Sequence, residues 1–236
     1  MIVDMHCHVL PGVDDGPKTM EDSMKVLAEV ARQGVGEMIV TPHFHPGRYK
    51  VYASQVMETL TRTQAEAEKR NIAVRLIPGQ ECYYYSELTR ELNAGHVLTM
   101  AGSRYVLVEF EPDAMYSTVR NGIRDLVSHG YLPIVAHFER YRCLEGEPER
   151  MQQLRGDGAA LQMNFGRLTI KENIFRRNPW RRLLRDGFVD YLGSDTHGME
   201  FRPPHIAEAV AWLEQETPGE LAHKILTYNI QAILNH

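Results

Sequence analysis

Six of the eleven histidines, His6, His8, His43, His45, His137 and His197, fall after short apolar runs, together with the carboxylates Asp15, Glu81, Glu109 and Asp195. Ile2 to Met5 runs into His6 and His8, Met38 to Thr41 into His43 and His45, and Arg75 to Ile77 into Glu81. Val106 to Val108 leads to Glu109, Ile134 to Ala136 to His137, and Tyr191 to Gly193 to Asp195 and His197. An ionisable group at the end of a buried strand is costly unless it faces an open mouth and is paired or bound to metal. His6 and His8 are two apart, so on an extended strand both imidazoles point to one side and Cys7 to the other. Alone, that pair reads equally as two hydrogen-bonded histidines or as a chelate. The complete set favours metal over a rim of unrelated polar groups, because so many imidazoles and carboxylates would otherwise repel or be desolvated together. Ligands of this kind without thiolate suit manganese, iron or zinc and do not suit a closed structural zinc site. There are more of them than one ion uses. Two or three ions bridged by Glu81 or Glu109 would form a clamp suited to a phosphate ester.

Cations stand near the same positions. Arg140 follows His137 by three residues and Arg202 follows His197 by five. A guanidinium matches phosphate oxygens in a bidentate way, although either arginine in isolation reads equally as half of a surface ion pair. In the loop Pro11-Gly-Val-Asp-Asp-Gly-Pro17, one of Asp14 and Asp15 is expected to shape the turn or cap the next helix, and the other to serve the site. His96, His129, His205, His223, His236 and the Tyr83-Tyr-Tyr85 run carry no spacing signal, so packing or exposure is expected for them. His205, near Arg202, is the exception to watch.

The elements that must position these groups alternate along the chain. Strands are expected near Ile2 to Met5, Glu37 to Thr41, Val74 to Ile77, Tyr105 to Glu109, Pro133 to His137, Ala160 to Asn164 and Val189 to Gly193. Helices are expected over Thr19 to Gln33, Gln55 to Arg70, Tyr116 to His129, Glu147 to Arg155, Trp180 to Asp186, Pro204 to Glu216 and Pro218 to Asn235; the first opens on a capping-box-like Thr19-Met-Glu-Asp. Alternation of this kind specifies a parallel sheet, and the 236-residue length favours closure into a seven-stranded βα-barrel as one domain, 1–236. Hydrophobic residues at 43% and charged residues at 24% describe an ordinary globular chain. The net charge of -5 argues against a nucleic-acid partner. No basic leader and no apolar run long enough for a membrane span is present, so a cytoplasmic protein without membrane insertion is expected. The three scattered cysteines, Cys7, Cys82 and Cys143, form neither a disulfide framework nor a metal knuckle.

Taken together, Asp4-Met-His-Cys-His8, Gly12-Val-Asp-Asp-Gly16, Thr41-Pro-His43, Gly79-Gln-Glu81, Val108-Glu-Phe110, Ala136-His-Phe-Glu-Arg-Tyr141 and Ser194-Asp-Thr-His197 resemble the polymerase and histidinol phosphatase (PHP) superfamily. Within it, the bacterial protein-tyrosine phosphatases of capsule and exopolysaccharide operons are the most similar. The resemblance runs in order from residue 4 to Pro204. It implies an α/β fold, a distorted TIM-like (β/α)7 barrel of the PHP type. It also implies hydrolysis of phosphotyrosine on a partner tyrosine autokinase and a cluster of two to three divalent ions, commonly manganese. Carried over residue by residue, His6, His8, Asp15, His43, Glu81, Glu109, His137, Asp195 and His197 are the expected metal ligands, and Arg140 and Arg202 the expected phosphate contacts. His43 or His197 is the expected proton donor to the leaving oxygen. His45 falls where relatives vary and is left as a supporting group, and Cys82 stands where an aliphatic residue is expected.

The positions six residues after the cysteines hold Val13, Leu88 and Glu149, so the Cys-to-Arg spacing of thiol-based tyrosine phosphatases is missing. Direct attack by a metal-activated hydroxide is the expected route. Rival readings are a small-metabolite phosphatase such as one for histidinol phosphate, an amidohydrolase-like deaminase or lactonase, and a barrel retained only for binding. The last would be marked by lost ligands, and every matched position is filled.

Overall fold

The computed structural model describes residues 2–172 and 177–235. His236, grouped above with the histidines without a spacing signal, lies outside the described residues. Strands β1 (Ile2–Cys7), β2 (Val35–Val40) and β5 (Arg75–Pro78) form one parallel sheet in the order β1-β2-β5. A second sheet runs β10 (Tyr191–Gly193), β9 (Ala160–Asn164), β8 (Leu132–Val135), β7 (Tyr105–Glu109), β6 (Glu81–Tyr83), β3 (His43–His45) and β4 (Tyr49–Lys50). All its pairings are parallel except the β3–β4 hairpin.

The two sheets are one barrel with two broken staves. β2 and β3 are interrupted at Thr41-Pro42, where proline has no N–H to give the ladder, and β5 and β6 at Gly79-Gln80. Lower halves pair in the small sheet and upper halves in the large one. The remaining seam closes where Asp195 N donates to His6 O at 2.8 Å and His8 N to Thr196 O at 2.9 Å. Gly193 permits that approach, since a Cβ there would lie 2.5 Å from His6 Cβ. Counting each broken stave once and setting aside β4, which only pairs back on β3, gives the seven expected strands.

Strand alternation separates two layers of core. Met5, Ile39, Ile77, Leu107, Ile134 and Tyr191 fill the barrel floor, with Ile230 and Ile233 beneath them. Their neighbours Cys7, Met38, Val40, Leu76, Val106, Val108 and Val135 point outward under the helices. In β1 a register shift lies between Asp4 and Cys7; beyond it Cys7 packs outward and His6 and His8 face the mouth.

The helical layer is α1 (Met20–Arg32), α2 (Ala53–Lys69), α3 (Leu88–Asn93), α4 (Tyr116–Ser128), α5 (Pro148–Gly156), α6 (Pro179–Arg185), α7 (Ile206–Glu216), α8 (Gly219–His223) and α9 (Asn229–Leu234). Thr19 caps α1, accepting from Asp22 N at 3.2 Å, and the helix buries Met24, Val26, Leu27 and Val30 on one face. Gln33, just past α1, accepts from the N–H groups of Ile206 and Ala207 and so caps α7 as well.

The differences from expectation are local. The helix expected over Pro218 to Asn235 runs through a π turn over Lys224–Tyr228 between α8 and α9. Helix α3, the β3–β4 hairpin and β6 fall where no element is expected, being too short for a periodic pattern to register. Among the described residues, no helix is long and apolar enough to cross a membrane.

Candidate metal centre

All nine expected ligands converge at the end of the barrel where the strands finish. Three interlocking groups bring their donor atoms within 4.8 Å of one another: His8, Asp15, His43 and His197; His6, His8, Glu81 and Asp195; and His43, Glu81 and Glu109. His8, His43 and Glu81 each belong to two groups, so Glu81 stands where a bridging carboxylate would. Its Oε2 lies 3.3 Å from His6 Nε2, 3.2 Å from His8 Nε2 and 3.1 Å from His43 Nδ1. His137 joins from β8, its Nε2 2.8 Å from Glu81 Oε1.

The donors fit divalent cations on the evidence of their own unmet needs. Both oxygens of Glu81, Oδ1 of Asp15, Oδ1 of Asp195 and Nδ1 of His43 are buried without a backbone or amide partner, facing only the other imidazoles and carboxylates of the groups. Buried polar atoms left so cost free energy unless something positive sits among them. Protons answer part of that need in the protein alone. Burial disfavours the His8 imidazolium, but Asp14 and Glu81 outweigh it and hold His8 well above its ordinary pKa. Burial likewise opposes charge on Glu81, and the surrounding His6, His43 and His137 keep it well below the usual carboxylate range. His197 is shifted the other way, lowered by burial and by the charge of His8.

The donor residues are held in turn by neighbouring side chains. Asp14 Oδ2 is 2.8 Å from His8 Nδ1 and accepts from His43 N at 3.1 Å, while its Oδ1 accepts from Gly16 N at 2.9 Å. Asp15 reaches His43 and His197 at 3.4 and 3.3 Å. Asp14 thus shapes the turn and also orients His8, while Asp15 faces the donor groups. Gly16 lets this loop lie on β1, as a Cβ there would meet His8 O at 2.5 Å. On β9, Gln162 Oε1 accepts from His137 N at 2.7 Å and lies 3.0 Å from His6 Nδ1, and Asn164 donates to Asp195 Oδ2 at 2.9 Å.

Arg140 and Arg202 meet at the same carboxylate. Arg140 Nη2 pairs with Asp195 Oδ2, and Arg202 Nη1 is 3.5 Å from that oxygen and 3.1 Å from His197 Nε2. Five non-glycine residues among those described have positive φ, and three of them are His137 (33°), Asp195 (53°) and Arg202 (51°). Such backbone is unfavourable for these residues and persists where surrounding contacts fix it, a pattern that collects at functional sites. Both arginines line a cavity of about 230 Å³ together with Asp15, His43, Glu109 and His137 and with His45, Tyr49 and Tyr83.

Comparison with known proteins decides the family. Residues 2–235 match the family described as capsular polysaccharide synthesis, CpsB/CapC.

The chain belongs to the CpsB/CapC family.

It is 32% identical to the tyrosine-protein phosphatase YwqE of Bacillus subtilis over 100% of this chain and 92% of that protein. With the tyrosine-protein phosphatase CpsB of Streptococcus agalactiae the identity is 30%, over 100% and 99% of the two chains. Among solved structures, that of the metal-dependent tyrosine phosphatases YwqE of Bacillus subtilis and CpsB of Streptococcus pneumoniae superposes with a TM-score of 0.89 at 32% identity, covering 99% of this chain and 94% of that one. The lactonase Lmo2620 of Listeria monocytogenes, at 13% identity, TM-score 0.57 and 99% and 94% coverage, shares the fold alone.

Against this CpsB/CapC background, His45 stands outside the donor groups and packs at a tilt against Tyr83, ring centroids 4.1 Å apart. His43 and His197 both have ring nitrogens turned to carboxylates, which ties the two expected proton donors to the metal groups. His205 is exposed at the start of α7, away from the donor groups; His96 pairs with Glu91 and His129 with Asp125 on the surface. Gln162 and Asn164 are the functional candidates that sequence reasoning missed. Two buried amides alternating on an otherwise apolar strand, Ala-Leu-Gln-Met-Asn, are the signal that could have found them.

Proposed function

We propose that this CpsB/CapC chain is a single-domain, metal-dependent protein-tyrosine phosphatase that removes phosphate from a cognate bacterial tyrosine autokinase controlling capsule or exopolysaccharide synthesis. It works in the cytoplasm with two or three divalent ions, manganese first and iron or zinc as alternatives. The observation that carries the reading is the trio of donor groups sharing His8, His43 and Glu81, set beside two arginines in one narrow pocket.

His6, His8, Asp15, His43, Glu81, Glu109, His137, Asp195 and His197 would hold the ions. When bound, the ions supply Lewis acidity that makes hydroxide available near neutral pH and offsets charge on the phosphoryl oxygens. Arg140 and Arg202 bind the phosphoryl group, their planar donors matching two oxygens each. Asp195 holds both guanidinium groups in place before substrate arrives, which reduces the ordering left to binding. Gln162 and Asp14 fix His6 and His8 with Nδ1 engaged, leaving each Nε2 turned to the donor group. Full burial of His6, His8 and Glu81 keeps bulk water from screening these charges.

A tyrosine phenol has a pKa of about 10, so its anion departs more readily than an alkoxide and places little demand on a proton donor. That agrees with the commitment of His43 and His197 to carboxylates. The three cysteines are not needed: Cys7 and Cys82 are buried, Cys143 is half-buried, and burial raises the thiol pKa of each.

The test is phosphate release from a phosphotyrosine peptide, a phosphoserine peptide and histidinol phosphate, each with chelator and with manganese restored. Metal-dependent release mainly from phosphotyrosine is expected. Faster turnover of histidinol phosphate would reassign the chain to small-metabolite chemistry.

A further inference from the structure

The strands that carry the ligand row also carry an aromatic row two residues further on. In the β3–β6 register His43 lies opposite Glu81. The next same-face positions are His45 on β3 and Tyr83 on β6, and the hairpin register sets Tyr49 opposite His45. Two residues of strand advance about 7 Å, so this second row is one side-chain layer outward from His43 and Glu81. The contacts agree with the register. His45 and Tyr83 rings lie 4.1 Å apart at 30°, and Tyr49 stacks on His43 at 5.6 Å and 15°.

All three residues line the same cavity as Arg140 and Arg202, and none belongs to a donor group. They are half-buried, each packed against a neighbouring ring, which leaves the remainder of each side chain open to the cavity. We propose that His45, Tyr49 and Tyr83 form the aryl-binding layer of this pocket, the part that distinguishes an aromatic phosphate ester from an alkyl one. The proposal rests on the phosphatase reading above. An aryl ester places its ring directly beyond the bridging oxygen, one layer out from the phosphoryl group. Serine phosphate has only a methylene there, with no face to set against the aromatic row.

Non-hydrolysable probes separate ring binding from turnover. With the manganese-loaded enzyme, calorimetry is used to compare phenylphosphonate with methylphosphonate. The native protein should prefer the phenyl compound by about three- to tenfold, the range of aromatic pair interactions. Tyr49→Leu and Tyr83→Leu, made singly, should each reduce that preference while methylphosphonate binding stays unchanged. Tyr83→Phe, which keeps the ring, should retain it. A native protein without phenyl preference, or leucine variants that keep it in full, would overturn the proposal. Either result stands whether or not phosphotyrosine proves to be the substrate, because neither probe is turned over.

Discussion

Gln162 Oε1 lies 3.0 Å from Nδ1 of His6, and this one contact determines which nitrogen of His6 faces the donor group. With Nδ1–H donating to the amide oxygen, Nε2 presents its lone pair toward Glu81 and Asp195. The same oxygen accepts from His137 N, so one amide holds two expected ligands. Gln162→Leu should therefore weaken metal binding by roughly 10- to 100-fold, the usual cost of losing such a partner. Competition against a chelator of known affinity would measure it, and an unchanged affinity would remove Gln162 from the site.

Asp195 serves two arginines, which makes their contributions unequal. Arg140 contacts the Asp195 carboxylate directly, whereas Arg202 stands further off and also touches His197. Arg140→Ala should lower kcat/KM for a phosphotyrosine peptide by about 100-fold or more, as expected for a lost charge-stabilising donor. Arg140→Lys should restore only part of this, since an ammonium cannot present two parallel N–H groups. Steady-state kinetics on the two variants, with inorganic phosphate as a competing ligand, would check both statements.

Much of this site is legible in the sequence because the barrel repeats one rule. Apolar residues fill the middle of most strands and ionisable residues at or just past their ends face the mouth, so His6, Glu81, Glu109, His137 and Asp195 are visible one strand at a time. What escapes is whatever the rule does not cover. Gln162 and Asn164 carry no charge and resemble ordinary polar residues at a strand end. The division of labour between Asp14 and Asp15 depends on which side of a tight loop each side chain leaves, a matter of tertiary geometry. The breaks at Thr41-Pro42 and Gly79-Gln80 leave upper pieces, His43–His45 and Glu81–Tyr83, too short for a periodic pattern to register, so only the lower pieces are legible as strands.

The ion-free protein should depend on pH in a way that the loaded protein does not. His6 and His8 have pKa values raised in the fold, because neighbouring carboxylates outweigh burial. Their imidazolium forms add stability that is complete below the unfolded value of about 6.5 and is lost as pH rises through the raised values. Glu81 and Asp195 are lowered, so their contribution is present above about 4 and lost as pH falls through the lowered values. Chelation should thus reduce the melting temperature more at pH ~8.5 than at pH ~6.5, because bound protons no longer replace the missing cations. Scanning calorimetry with and without chelator at the two values gives the comparison, and a larger loss at the lower pH would contradict it.

Gly193 links closure of the barrel to assembly of the site. It lies at the end of β10 against β1, and a Cβ at this position would approach His6 Cβ to 2.5 Å, with Gln162 Nε2 at 3.1 Å. Neither neighbour is free to retreat: His6 O accepts from Asp195 N across the seam, and Gln162 is engaged with His6, His137 and Asn164. Gly193→Ala should therefore cost about 1–3 kcal/mol, the usual penalty for overpacking a closed interior. For a chain of this length that corresponds to about 2–4 °C of melting temperature per kcal/mol. The displacement would fall on His6 and on the Gln162 amide that orients it, so metal affinity should fall with stability. Denaturant unfolding and chelator competition on the same variant test the coupling. A destabilised variant with native metal affinity would mean that the seam and the site are independent.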